Sequence, residues 1–166
     1  MKNCDTNIYC LEDKLLHDLR GIPQFSKRYI VKSERPNDDF DNDHLRFIRE
    51  YTDDLEKFVE KITKDKIIIC VEEILTNMED HGHKYDPTKS TLIITNIFDN
   101  GVLVSLQGEG PGYDVTKVRQ STINPDGSVY MGRRGRGHAM LKFSSDRAFT
   151  QDSGREWYLI FDKNAA

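Results

Sequence analysis

The chain has 166 residues, 37% of them hydrophobic and 10% aromatic, which fits one domain, or one domain with an extension, around a single core. Charged residues make up 31% and the net charge is −4, so the surface is well solvated and exerts no general pull on nucleic acid or anionic lipid. No apolar run approaches the roughly 20 residues that cross a bilayer, and residues 1–10 carry no apolar secretion signal, so a cytoplasmic protein is expected.

Residues 10–20 (CLEDKLLHDLR) predict a short amphipathic helix, closed by Gly21 and Pro23. Residues 28–34 (RYIVKSE) read as a strand, and 35–43 (RPNDDFDND) as a loop ending in helix-capping residues. Leu45, Phe47, Ile48, Tyr51, Leu55, Phe58, Val59 and Ile62 recur at helical spacing, predicting a helix that ends near Thr63. A second helix is expected over 65–81, with Ile67, Cys70, Val71, Ile74, Leu75 and Met78 on its apolar face and Gly82 as its stop. Cys4, Cys10 and Cys70 form an odd, unpatterned set, which fits reduced thiols, with Cys70 as a core residue.

Residues 91–98 (TLIITNIF) and 102–107 (VLVSLQ) are rich in β-formers and flank Asp99-Asn100-Gly101, a tight-hairpin signal. Residues 108–137 hold many glycines and read as loop, followed by a helix over 137–145. A final hairpin joins a strand near 148–150 to one at 156–161 (EWYLIF) through Asp152-Ser153-Gly154. Helices followed by hairpin-connected strands predict an α+β two-layer sandwich: a mixed, mainly antiparallel sheet with helices on one face.

Two constellations carry chemistry. In VEEILTNMEDHG, Glu73, Asn77 and His81 lie four residues apart, so an α-helix stacks them on one face with Asp80 beside them. A carboxylate and a carboxamide one turn apart suit a hard cation such as Mg²⁺, and a carboxylate near a phosphate can deprotonate or orient an attacking hydroxyl. A solvated helix face has the same pattern. A zinc site from Glu79, Asp80, His81 and His83 matches no common zinc spacing. The second constellation is glycine-rich: Gly108-Glu109-Gly110-Pro111-Gly112-Tyr113-Asp114, then Gly132-Arg133-Arg134-Gly135-Arg136-Gly137 opening a helix. Glycines let a backbone approach a ligand, helix N-termini bind anions, and arginines donate to phosphate. Flexible turns would look alike, and GRRGRG also resembles short RGG segments, which the acidic chain disfavours. No Walker A pattern is present, and the first glycine segment follows a hairpin strand, unlike a dinucleotide fingerprint.

The order of these pieces resembles the layout of the GHKL ATPases, the superfamily of gyrase B and histidine kinases, and most closely the stand-alone anti-sigma factor serine/threonine kinases. Glu73-Ile74-Leu75-Thr76-Asn77 followed by His81-Gly82 is similar to their N box, Glu109-Gly110-Pro111-Gly112-Tyr113-Asp114 to their first glycine box, and Gly135-Arg136-Gly137 to their second. The resemblance covers roughly 28–161, leaving residues 1–27 as an extension and 28–166 as the domain. It implies the Bergerat, or histidine kinase-like, fold and the cofactors ATP and Mg²⁺. It implies Glu73 as the catalytic base or orienter and Asn77 as the metal ligand. Asp80, His81, Gly108, Gly110, Gly112, Arg133, Arg134, Gly135, Arg136 and Gly137 would line the nucleotide site, and residues 114–134 would form its lid. The implied activity is phosphorylation of a small STAS-domain antagonist; some relatives instead bind a sigma factor, and a homodimer is left open. A histidine kinase module is set aside, since no helix pair with a phosphorylatable histidine is recognisable. The alternative is a catalytically degenerate protein-binding switch on the same fold. One position departs from the family pattern: the Asp that accepts a bond from adenine's amino group is replaced by Gly108. Weak discrimination between ATP and GTP is therefore expected, with Gln107 or Glu109 as substitutes within reach.

Overall fold

The computed structural model describes Leu19 and residues 21–34, 43–114, 141 and 144–163. The helix expected over 10–20, most of the loop at 35–43, most of the expected lid and the whole of Gly132–Gly137 lie outside the described residues. So does most of the helix expected over 137–145, although Leu141 is buried in the core and its carbonyl accepts from the Ser145 N–H at 3.0 Å. No described helix is long and apolar enough to cross a membrane.

The architecture is an α+β sandwich. Strands β1 (Phe25–Lys32), β2 (Ser90–Ile97), β3 (Gly101–Gly108), β4 (Arg147–Gln151) and β5 (Glu156–Asp162) form one sheet in the order β1-β2-β3-β5-β4. Every described pairing is antiparallel, so the expectation of a mixed sheet does not hold for these strands. Hairpins explain two of the four pairings: β2 to β3 turns at Asn100-Gly101, and β4 to β5 turns through residues 152–154, and short connections permit only antiparallel neighbours.

Strand alternation sends Tyr29, Val31, Ile93, Ile97, Val102, Val104, Leu106, Trp157, Leu159 and Phe161 to one face of the sheet. There they meet α1 (Asp43–Leu55) through Phe47, Tyr51 and Leu55, and α2 (Lys61–Asn77) through Ile67, Cys70, Val71, Ile74 and Leu75. Cys70 is a free, buried thiol whose pKa is pushed up to about 12 by burial, as suits a core residue. Two buried threonines of β2 share this layer: Thr95 is satisfied by the Tyr51 hydroxyl at 2.9 Å, and the Thr91 hydroxyl donates to the Met78 sulfur at 3.8 Å. On the opposite face Leu19 closes over Phe98, Leu103, Tyr158 and Ile160.

The continuous apolar spacing from Leu45 to Ile62 is broken into two segments. The helix expected to reach Thr63 stops at Leu55, and the helix expected from 65 starts at Lys61. Asp54 sits at this break, its carboxylate held by Lys27 at 2.7 Å, Tyr29 at 2.9 Å and Lys57 at 3.0 Å. The Leu55 carbonyl then accepts from both Phe58 and Val59, closing a turn that tucks these two side chains against the core. Ile62 is left 70% exposed. At its far end α2 gives way to a π turn over Met78–His83, so Gly82 does not end the helix as expected. The chain leaves through Lys84 (φ 56°) and Tyr85 (φ 58°), both left-handed.

These three donors hold the Asp54 carboxyl well down, from an ordinary value of 3.8 to about 2, with Lys27 the largest cause. A carboxylate lowered on folding contributes stability that is present above the unfolded value and lost as pH falls through the folded one. Asp54→Asn should therefore cost about 1–2 kcal/mol near neutral pH, the scale of hydrogen bonds to a charged group. Urea unfolding should show that deficit shrinking as pH falls from 3.8 toward about 2. A pH-independent deficit would assign the loss to packing instead.

Candidate functional site

The C-terminal end of α2 and the segment after β3 meet at the edge of the helix layer. Glu73 and Asn77 face one way from α2, and the Asn77 carboxamide nitrogen donates to the Glu73 carboxylate at 2.9 Å. Asn77 is 9% exposed, and Glu73 is partly buried. Burial pushes the Glu73 carboxyl above the usual range, and the bond from Asn77 opposes this only in part. The result is a more basic carboxylate than a surface glutamate. The Asn77 carbonyl oxygen is left over once the amide nitrogen is committed to Glu73.

His81 and Asp80 do not continue this stripe. A π turn closes with i→i+5 bonds and so carries about one residue more than an α turn, which shifts the phase of every later side chain. His81 turns out to solvent, with Asp80 3.8 Å away, while Glu79 and His83 turn inward. Glu79 is 4% exposed; one of its oxygens lies 3.3 Å from His44 Nδ1 and the other has no hydrogen-bond partner among the described residues. Groups of three or more acidic, His or Cys side chains able to hold a metal are absent among the described residues, so Glu79, Asp80, His81 and His83 form no zinc site.

The glycines of the first segment are placed by close contact. Gly110 lies against the π turn: a Cβ there would fall 2.7 Å from the Gly82 carbonyl oxygen and 2.7 Å from His83 Cδ2. Gly112 has φ +78°, and its Cβ would meet the Ser153 carbonyl oxygen at 2.5 Å. Backbone bonds pin the segment on both sides: Gly108 N–H to Arg155 at 2.9 Å, Glu109 N–H to Ser90 at 3.1 Å, and Tyr113 N–H to Ser153 at 2.7 Å. Tyr113 is buried, and its ring centroid sits 6.0 Å from that of His81. Its phenol is pushed up by burial and, to a lesser degree, by the Glu73 charge, which brings the glycine segment into the field of the Glu73–Asn77 pair.

Met78, Gly82, His83, Gly108, Gly110, Gly112, Tyr113, Gly154 and Arg155 line one small cleft. Its free space is about 10 Å³, on the order of a single water molecule. Gly108, Gly110 and Gly112 are thus brought together with the helix end, as expected. Arg133, Arg134, Gly135, Arg136 and Gly137 lie outside the described residues. Neither expected substitute for the missing carboxylate reaches the cleft. Gln107 is an exposed residue whose neighbours in β3, Leu106 and Gly108, take the helix-side positions. Glu109 is engaged by the Ser90 N–H at 2.8 Å and hydroxyl at 2.9 Å. The polar side chain in that place is His83, 5% exposed and with neither ring nitrogen hydrogen-bonded among the described residues. Burial holds its imidazole below the usual histidine range, against the upward pull of Glu79, and so in the neutral form. Its position beyond a glycine, in a turn no α-periodicity describes, carries no signal in the sequence.

No family model matches the chain, and no curated protein matches it. The site is therefore read from its own geometry and motifs.

Gly110→Ala should destabilise the fold by about 1–3 kcal/mol, the range for overpacking a tight contact, because the Gly82 carbonyl carbon and oxygen it meets are backbone. Gly108→Ala meets only the His83 ring and the Met78 sulfur, at 3.0 and 3.5 Å, and should cost less. Thermal unfolding of both variants checks the order; equal losses would contradict it.

Proposed function

We propose that the chain is an ATP-dependent protein serine/threonine kinase of the GHKL type, acting on a hydroxyl of a small STAS-domain partner. The observation that carries this reading is the Glu73–Asn77 pair: a carboxylate raised by burial, bonded at 2.9 Å to a carboxamide, on the helix that abuts the glycine segment. The donor set suits a magnesium nucleotide. One neutral amide oxygen, with no metal-binding acidic cluster among the described residues, suits a cation held chiefly by phosphate oxygens. Bound ATP supplies the transferable phosphoryl group. Glu73 then accepts the proton of the partner's serine or threonine, and Asn77 both orients that carboxylate and offers its carbonyl oxygen to the cation. Arg133, Arg134 and Arg136 add charge-assisted donors on the strength of the sequence alone.

A second reading is a catalytically degenerate protein-binding switch with weak or altered nucleotide binding. The cleft favours it: about 10 Å³ is far below the roughly 300 Å³ at which ligand pockets begin, so a nucleotide enters only if the cleft opens.

Glu73→Gln should abolish phosphotransfer, lowering the rate by at least about a hundredfold as expected for loss of a general base, while keeping nucleotide affinity within a few-fold. Asn77→Ala should weaken binding only when Mg²⁺ is present. Radiolabel transfer to a STAS-domain protein, alongside calorimetric titration of ATP with and without Mg²⁺, reads both. Unchanged transfer in Glu73→Gln sinks the kinase mechanism; Mg²⁺-dependent binding without transfer in the wild type selects the switch.

A further inference from the structure

We propose that His83 is the residue that hydrogen-bonds the base of the bound nucleotide, an assignment that rests on the nucleotide reading above. Its imidazole is 5% exposed and unpaired at both nitrogens among the described residues, whereas the great majority of buried polar side chains have a partner. It lines the same cleft as Gly108, Gly110, Gly112 and Tyr113, so the unmet hydrogen-bonding capacity faces the place a ligand would enter.

The glycine at 108 points the same way. Unlike Gly112, Gly108 does not have a positive φ, so its backbone conformation makes no demand for glycine. The nearest atom to a Cβ at 108 would be His83 Nε2, at a tight 3.0 Å. The missing side chain leaves one edge of the ring uncovered. Along the helix, His83 lies more than a turn beyond Asn77. A ligand whose anionic end meets Asn77 therefore presents its opposite end to His83.

A neutral imidazole carries one N–H donor and one acceptor nitrogen, and its tautomer can exchange them. Adenine offers an amino donor where guanine offers a carbonyl acceptor. A carboxylate serves only the first; His83 serves either, by accepting from the amino group or donating to the carbonyl. The cleft should bind purine nucleotides without choosing strongly between ATP and GTP.

The test is calorimetric titration of the whole chain with ATP, GTP and inorganic tripolyphosphate, each with Mg²⁺, in wild type, His83→Phe and His83→Gln. Wild-type affinities for ATP and GTP should agree within about tenfold. His83→Phe should weaken both nucleotides by about tenfold, the scale of one net hydrogen bond, and leave tripolyphosphate unchanged. His83→Gln, which keeps a donor and an acceptor, should recover part of the loss. If His83→Phe does not fold, Gly108→Ala, which sets a methyl group against Nε2 without removing the ring, should give the same base-only loss. Nucleotide affinities unaffected by these changes overturn the assignment, as does equal weakening of tripolyphosphate. A wild-type chain that binds none of the three overturns the nucleotide reading itself, and this assignment with it.

Discussion

The segment after β3 passes directly against the π turn after α2. A methyl group at Gly110 would sit 2.7 Å from the Gly82 carbonyl oxygen, so only glycine fits at 110. On the other side of this contact the helix widens rather than ends, with Glu79 and His83 turned inward and His81 outward. The contact also holds the glycine segment against the end of α2, where the Glu73 charge acts on Tyr113. The left-handed residues Lys84 and Tyr85 redirect the chain as it leaves the turn, at a conformational cost of roughly 1–2 kcal/mol each. Local strain of this kind persists only where surrounding packing over-determines it.

Desolvation acts on the site in one consistent direction. It raises the carboxyl of Glu73 and lowers the imidazole of His83, so both groups lean toward their neutral forms. Asp54, on the far side of the helix layer, shows the opposite arrangement: three donors keep its carboxylate charged and tie β1 to the end of α1. One acid is thus a structural clasp with its hydrogen bonds met. The other is basic and sits beside buried groups whose hydrogen bonds are not. Among the described residues, both His83 ring nitrogens and one Glu79 oxygen are buried without a partner at this corner, and such atoms lower stability.

The sheet was legible because its signals are local. Asn100-Gly101 marks a hairpin, alternation in β2 reports burial directly, and the near-continuous apolar run of β5 matches a strand buried on both faces. The Glu73–Asn77 pair was legible because four residues make one helical turn. The break after Leu55 was not, since Phe58 and Val59 still pack, partly buried, against the core and preserve the apolar spacing while the backbone turns; the contacts of Asp54 with Lys27 and Tyr29 at that point are tertiary and leave no mark in the spacing. Nor was the π turn, because Gly82 reads as a stop signal, whereas in the fold it lies inside the turn and its carbonyl oxygen packs against Gly110. His83 was missed for that reason, and Gly108 was read as an empty acceptor position when a neighbouring imidazole lies against it. The chemistry of the arginine-rich segment rests on sequence alone.

The account centres on one claim: a magnesium nucleotide binds between the end of α2 and the glycine segment after β3. Amide hydrogen exchange with and without ATP and Mg²⁺ tests this directly, since it reports where the backbone is protected regardless of turnover. The account predicts slowed exchange confined to peptides covering 73–83 and 108–113, and loss of that protection in Asn77→Ala. Exchange unchanged by nucleotide in those peptides, or protection appearing on β1 and β4 instead, would contradict it.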